Sequence, residues 1–226
     1  MKPEESGTKF SNFAAPKVYY PAFLNIEDKK VIVVGGGKVA ERKILSLIKV
    51  CSDIKVISPD LTKRLEKENQ EGRIKHVPRR YKKGDLKNAF LVIAASDRPS
   101  INEQVSKDGR CLVNVVDTPG LCNFIVPSVM NRGLLTIAIS TSGVSPALAG
   151  LIRKELKKVY GPEFKDYLNF LRKIRRKALA VIQDRKKRGE FLKAVSSEKM
   201  VRVLRKKGII EVERAVGRLF KRATSK

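Results

Sequence analysis

The amino-acid sequence predicts an α/β protein: a parallel-sheet domain, then a short β-rich segment, then a small C-terminal helical domain. Three observations carry this. Short apolar runs alternate with helix-period segments from Lys29 to Asp117, the order that gives parallel strands joined by right-handed crossovers. Three glycines, Gly35 to Gly37, stand between the first apolar run and the first helical pattern. Beyond Gly161-Pro162 the chain is basic, amphipathic and helical in period up to about Phe220.

Each element has its own signal. VIVVG (31–35) is a strand, and Val39, Ala40, Ile44, Leu47 and Ile48 follow at helical spacing. IKVIS (54–58) is a second strand, and LTKRLEKENQEG reads as a polar helix ending at Gly72. IKHVP (74–78) is a weaker strand. AFLVIAAS (89–96) and CLVNVVD (111–117) are continuous in apolar residues, as strands covered on both faces are. Between them PSINEQVSKDG (99–109) has proline near a helix start and glycine past its end. Two strand runs are then expected, 123–127 and 134–140, around an Asn-Arg-Gly turn. Ser145-Pro146 opens a helix that runs to about Tyr160. In the tail, Leu168, Leu171, Ile174 and Leu179 are core candidates, Phe191 and Phe220 also sit at core spacing, and a break is expected near Gly189. The divisions are a poorly ordered lead-in over 1–18, the sheet domain over 19–117, a connector over 118–160 and the helical domain over 161–226.

Composition narrows the function. The 226 residues are 42% hydrophobic, with no apolar run long enough to cross a membrane and no signal-peptide core at the start. A cytoplasmic protein is expected. Cys51, Cys111 and Cys122 are too scattered for a disulfide framework, and His76 is the one histidine. That leaves nothing to build a structural zinc site or a Ser-His-Asp triad, and no metal ligands are assigned. His76 lies in the polar stretch RIKHVPRR and is expected on the surface. The net charge is +26, concentrated in the final third. Such a field attracts polyanions, whether nucleic acid or a small polycarboxylate.

The glycine turn points to a cofactor. Gly35-Gly36-Gly37-Lys38-Val39-Ala40 fits the G-x-G-x-x-G/A pattern, and it follows a strand and opens a helix. Gly35 permits the tight turn, Gly37 lets backbone approach a pyrophosphate, and Ala40 allows close helix–strand packing. This is a Rossmann-like dinucleotide site. At the end of the second strand Asp60 either serves the ribose from the loop or caps the next helix. NAD is the expected cofactor, although Lys63 and Arg64 lie near enough for NADP. Asp117 ends the last strand of the parallel sheet, at the edge where ligands bind. An Asp before Thr-Pro-Gly also suits a turn whose carboxylate bonds local N–H groups.

Four blocks, YYPAFLNIEDKKVIVVGGGKVAERK, FLVIAASDRPSIN, NVVDTPGLCNFIVPS and ISTSGVSPALAGLIRKEL, together resemble the precorrin-2 dehydrogenase family, the dehydrogenase-type domains of siroheme synthases, over roughly residues 19–160. The resemblance implies NAD-dependent oxidation of precorrin-2 to sirohydrochlorin; whether the chain is also a ferrochelatase is left open by these blocks. It implies a cofactor lying on Gly35, Gly37, Lys38 and Val39, with Pro59 and Asp60 near the adenosine ribose and Ser96 close by. The essential aspartate of the N-V-V-D block falls on Asp117. The connector becomes a dimerisation element, so a homodimer is implied, and the basic charge suits a polycarboxylate tetrapyrrole. The alternative is a nucleotide-sensing protein with a nucleic-acid-binding tail. The tail lacks aromatic residues spaced for base stacking, so nucleic acid is not the expected partner.

Overall fold

The computed structural model describes residues 18–225. The lead-in expected over 1–18 therefore lies, Val18 apart, outside the described residues. The chain divides into two compact units, Met1–Val126 and Pro127–Lys226.

In the first unit the order is β1 (Val31–Val34), α1 (Lys38–Leu47), β2 (Ile54–Ile57), α2 (Lys63–Gln70), β3 (Lys75–Val77), β4 (Leu91–Ala94), α3 (Pro99–Asp108) and β5 (Leu112–Val115). The strands lie in the order β3-β2-β1-β4-β5, and every pair is parallel. Successive side chains of a strand point to opposite faces. Val31 and Val33 accordingly pack with Ala40 and Ile44 on one side, while Ile32 and Val34 pack with Val92 and Val105 on the other. Both faces are covered, which is why these strands are apolar without alternation. The strand order reverses at β1 and β4, and that switch opens a crevice at the C-terminal edge of the sheet.

Two polar features hold the β3 side. His76 is half-buried, not on the surface: its Nε2 lies 2.8 Å from the Ser58 carbonyl oxygen and its backbone N–H donates to Asn69 Oδ1. Pairing with β2 turns the ring inward, although the surrounding residues are polar. Glu68 on α2 is buried at 2% exposure, with Arg64 at 2.9 Å on one carboxylate oxygen and Arg73 on the other. The hydrogen bond from Arg73 holds the Glu68 carboxyl below its usual pKa, and the opposing effect of burial is smaller. A depressed carboxylate contributes stability above its unfolded pKa and loses it as pH falls through the folded one. Glu68→Gln should therefore destabilise the unit at neutral pH by about 1 kcal/mol, because both guanidiniums reach solvent. Thermal melts of the two proteins should converge as the pH drops below the ordinary glutamate range; a gap that does not depend on pH would contradict this.

In the second unit β6 (Ser128–Arg132) and β7 (Leu135–Ile139) form an antiparallel hairpin, followed by α4 (Pro146–Val159), α5 (Glu163–Val181), α6 (Arg185–Val195) and α7 (Glu198–Thr224). The first hairpin strand lies at 128–132 instead of the expected 123–127. Arg132 pairs with Leu135, so the loop is Gly133-Leu134, with Gly133 at φ 60. A positive φ at the first loop position only is the type II′ geometry that suits strand twist. Ser145 caps α4 as expected, its hydroxyl accepting from the Leu148 N–H at 3.2 Å.

The helical core is formed by Phe164, Tyr167, Ala178, Ile182, Phe191, Leu204, Val212 and neighbours. Leu171, Ile174 and Phe220 pack against it, and Phe191 meets Phe220 edge to face at 5.5 Å. Leu179 is exposed, because the buried stripe of α5 runs through 164, 167, 171, 174 and 178 and leaves 179 on its flank. The break expected at Gly189 falls instead at 182–184, where Asp184 accepts from the Lys187 N–H, and at Ser196-Ser197. Gly189 lies inside α6. Gly208, at φ 77, interrupts α7.

Candidate active site

The crevice at the C-terminal edge of the five-stranded sheet is a cleft of about 680 Å³. Gly35, Gly37, Lys38, Val39, Pro59, Asp60, Ser96 and Asp117 all line it. They come from the loops after β1, β2, β4 and β5 and from the first turn of α1, which the parallel sheet brings to one edge.

The glycine turn is shaped by its neighbours. Gly35 has φ 120 and is buried, its N–H donating to the Ile57 carbonyl at 2.9 Å; a Cβ there would run into the Ala95 carbonyl. Gly36 is equally constrained, because a Cβ would strike the Asp60 carbonyl. Gly37 differs. It begins α1, no side chain caps the helix, and nothing lies within 4 Å of where its Cβ would be. The first-turn N–H groups thus open onto empty space beside a positive helix end, the requirement for holding a phosphate group.

Neighbouring side chains steady this turn. The Thr62 hydroxyl donates to Glu41 on α1 and accepts from the Leu65 N–H, so Thr62 both caps α2 and ties it to α1. That hydroxyl is the main cause of a lowered Glu41 pKa. Since Thr62 is the cap, Asp60 is left in the loop, exposed, with no side-chain hydrogen bond among the described residues. Ser96 is clamped at its backbone: its N–H donates to Asn102 Oδ1 at 3.1 Å and its carbonyl accepts from Asn102 Nδ2 at 2.9 Å.

Asp117 has φ 58, a left-handed conformation uncommon outside glycine. Its side chain is exposed and makes no hydrogen bond among the described residues, so it is not the local turn acceptor that Thr-Pro-Gly suggested. Lys43, half-buried on α1, faces it: burial and Arg42 push the Lys43 ammonium down in pKa, while Asp117 and Cys122 hold it up.

Several lining residues gave no signal in the sequence. Arg80, Tyr81 and Arg98 reach the cleft from loops without a motif. The first two are placed by a paired Arg79–Asp85 contact at 2.7 and 2.8 Å, which folds the loop between them. The Tyr81 hydroxyl donates to Asp108 at 2.8 Å, and burial raises its pKa and keeps it protonated. Among the described residues no cluster of His, Cys, Asp or Glu could hold a metal ion, and no helix is long and apolar enough to cross a membrane.

Residues 22–128 match the family described as putative NAD(P)-binding, and residues 132–158 match the sirohaem biosynthesis protein central family. The two matched stretches together run from residue 22 to residue 158. The siroheme synthase of Methylobacillus flagellatus is 41% identical over 140 residues, covering 61% of this chain and 30% of that protein. The Nitrosococcus oceani enzyme is 41% identical over 142 residues, covering 62% and 30%. That of Pseudomonas putida is 36% identical over 180 residues, covering 78% and 39%. This chain therefore spans only about a third of the length of these siroheme synthases. The fold also matches that of SirC, a precorrin-2 dehydrogenase, with a TM-score of 0.77 and 24% identity over 88% of this chain and all of that one. The match over residues 22–128 supports a nicotinamide dinucleotide as the cofactor class.

Proposed function

We propose that the chain oxidises precorrin-2 to sirohydrochlorin with NAD as the electron acceptor. One observation carries this: the glycine turn, whose helix no side chain caps among the described residues, and the exposed Asp117 carboxylate line the same cleft. The residues fit the cofactor. Gly35, Gly37, Lys38 and Val39 would receive its pyrophosphate on backbone N–H groups, Pro59 and Asp60 would meet the adenosine ribose, and Ser96 would lie on the opposite wall. Asp60, a carboxylate free to accept from both ribose hydroxyls, favours NAD over NADP.

When bound, NAD supplies the two-electron acceptor. The protein contributes position and charge. Asp117, on its left-handed turn, would take the proton that leaves the macrocycle, the hydride equivalent being the cofactor's share. Arg80 and Arg98 line the same cleft and can pair with carboxylates of the tetrapyrrole. Anaerobic incubation with precorrin-2 and NAD tests this. NADH and sirohydrochlorin absorbance should rise together in a one-to-one ratio, and a protein that binds NAD but forms neither would sink the proposal.

A homodimer built through the 118–160 connector is part of the same proposal. In support, α4 buries only Ala149 within its own unit, while Val144, Leu148, Leu151 and Val159 are exposed. Contiguous apolar surface of this kind marks an association face. The double variant Leu148→Lys, Leu151→Lys should sediment as a monomer where the unaltered chain is a dimer; a monomeric unaltered chain would remove this part. Cysteines this few and scattered suit a reducing cytoplasm.

A further inference from the structure

β5 is an edge strand, and it is finished by side chains instead of another strand. Its inward N–H groups serve the pairing with β4: Leu112 donates to Phe90 and Val116 to Ala94. Its outward ones face the segment that follows Asp117. Val113 N–H donates to Asn123 Oδ1 at 2.7 Å, and the Val113 carbonyl accepts from the Asn123 N–H at 3.1 Å. One step along, Val115 N–H donates to Cys122 Sγ at 3.1 Å. The same sulfur lies 3.2 Å from the Val115 carbonyl and 3.4 Å from the Thr118 carbonyl, either of which accepts its S–H. Asn114, buried at 8% exposure, donates to the sulfur at 3.6 Å and to the Phe124 carbonyl at 3.2 Å.

The thiol thus occupies the place of a missing peptide group, accepting where a carbonyl would accept and donating where an N–H would donate. What it closes is the loop 115–122, and Asp117 sits inside that loop at φ 58. A left-handed non-glycine residue costs energy and persists only where its surroundings hold it. Among the described residues no hydrogen bond to the Asp117 carboxylate does so. The restraint comes from the two ends of the loop, which meet on one buried sulfur.

We infer that Cys122 is a positioning residue for Asp117: its buried thiol closes the loop that holds the aspartate carboxylate at the cleft. This rests on the dehydrogenase reading above.

Steady-state turnover of precorrin-2, NAD affinity and amide hydrogen exchange test it in Cys122→Ala and Cys122→Ser. The alanine variant should lose kcat by about tenfold, since a small misplacement of a reacting group suffices for that. KM and NAD affinity should stay within about twofold, because the glycine turn is untouched. Serine keeps a donor and an acceptor at the same place and should restore most of the loss. Made in an Asp117→Asn background, Cys122→Ala should cost nothing further. Exchange at Val115 and Thr118 should speed up about tenfold in the alanine variant, with β1 and β4 unchanged. Unaltered kcat or unaltered exchange in Cys122→Ala overturns the inference, as does an equal loss in the Asp117→Asn background. If the unaltered protein binds NAD without turning over precorrin-2, the dehydrogenase reading falls and the catalytic role of Cys122 falls with it. An active unaltered protein whose alanine variant matches it removes the clamp alone.

Discussion

Asp117→Asn is expected to lower kcat for precorrin-2 oxidation about 10³-fold, the scale of a lost general base, and to leave NAD affinity unchanged. The carboxylate is exposed, makes no hydrogen bond among the described residues, and lines the same cleft as the glycine turn. Asparagine has nearly the same shape and tolerates φ 58 well, so the fold should be untouched. The amide cannot accept the proton, so the deficit belongs to chemistry and not to stability. Fluorescence titration with NADH, thermal melting and anaerobic turnover, run on the same preparations, separate these. Loss of NAD binding in the variant would instead make Asp117 a cofactor residue. Full activity would remove it from the reaction.

The second large effect is a contrast within the glycine turn. Gly35→Ala should fail structurally: its Cβ meets the Ala95 carbonyl, and φ 120 disfavours any side chain. A loss of about 3 kcal/mol or more is expected, from steric overlap and backbone strain together. Gly37→Val should behave in the opposite way. Its backbone, at φ −79, accepts a side chain, and nothing lies within 4 Å of the new Cβ. The variant should fold with a change of about 1 kcal/mol or less and yet lose NAD binding about 100-fold, because the side chain fills the approach to the first-turn N–H groups. Two glycines two residues apart would then be required for different reasons, one by the fold and one by the ligand. A folded, NAD-binding Gly37→Val variant would show that the pyrophosphate does not sit on this turn.

Much of the sheet unit was legible from the sequence, because strands covered on both faces are uninterrupted apolar runs and cannot be hidden. β1, β2, β4 and β5 announce themselves in this way, and the glycine turn stands out because it directly follows one of them. Segment 123–127 misled for a definable reason. Its apolar residues suit a strand, but Asn123 and its neighbours spend their hydrogen bonds on the edge of β5, and the hairpin starts only after Pro127. Leu179 misled because a helix flank and a helix face can carry the same residue, and only packing tells them apart. Gly189 misled because one glycine inside a helix is tolerable, while the real breaks fall before Arg185, where Asp184 caps α6, and at Ser196-Ser197. Within the cleft, the requirement for glycine at position 36 arises from the Asp60 carbonyl, which is close in space and distant in sequence. The same holds for Arg80, Tyr81 and Cys122, which are placed by partners that no local pattern reveals.

The two margins of the five-stranded sheet share a property that bears on how the protein survives at high concentration. On β3 the outward N–H of His76 is taken by Asn69, the strand is three residues long, and Pro78 follows it. On β5 the outward N–H groups of Val113 and Val115 are taken by Asn123 and Cys122. These three donors are thus withheld from a strand of another molecule, the route by which exposed sheet edges seed aggregates. With a net charge of +26 also opposing close approach, aggregation through these donors must wait for an edge to come undone.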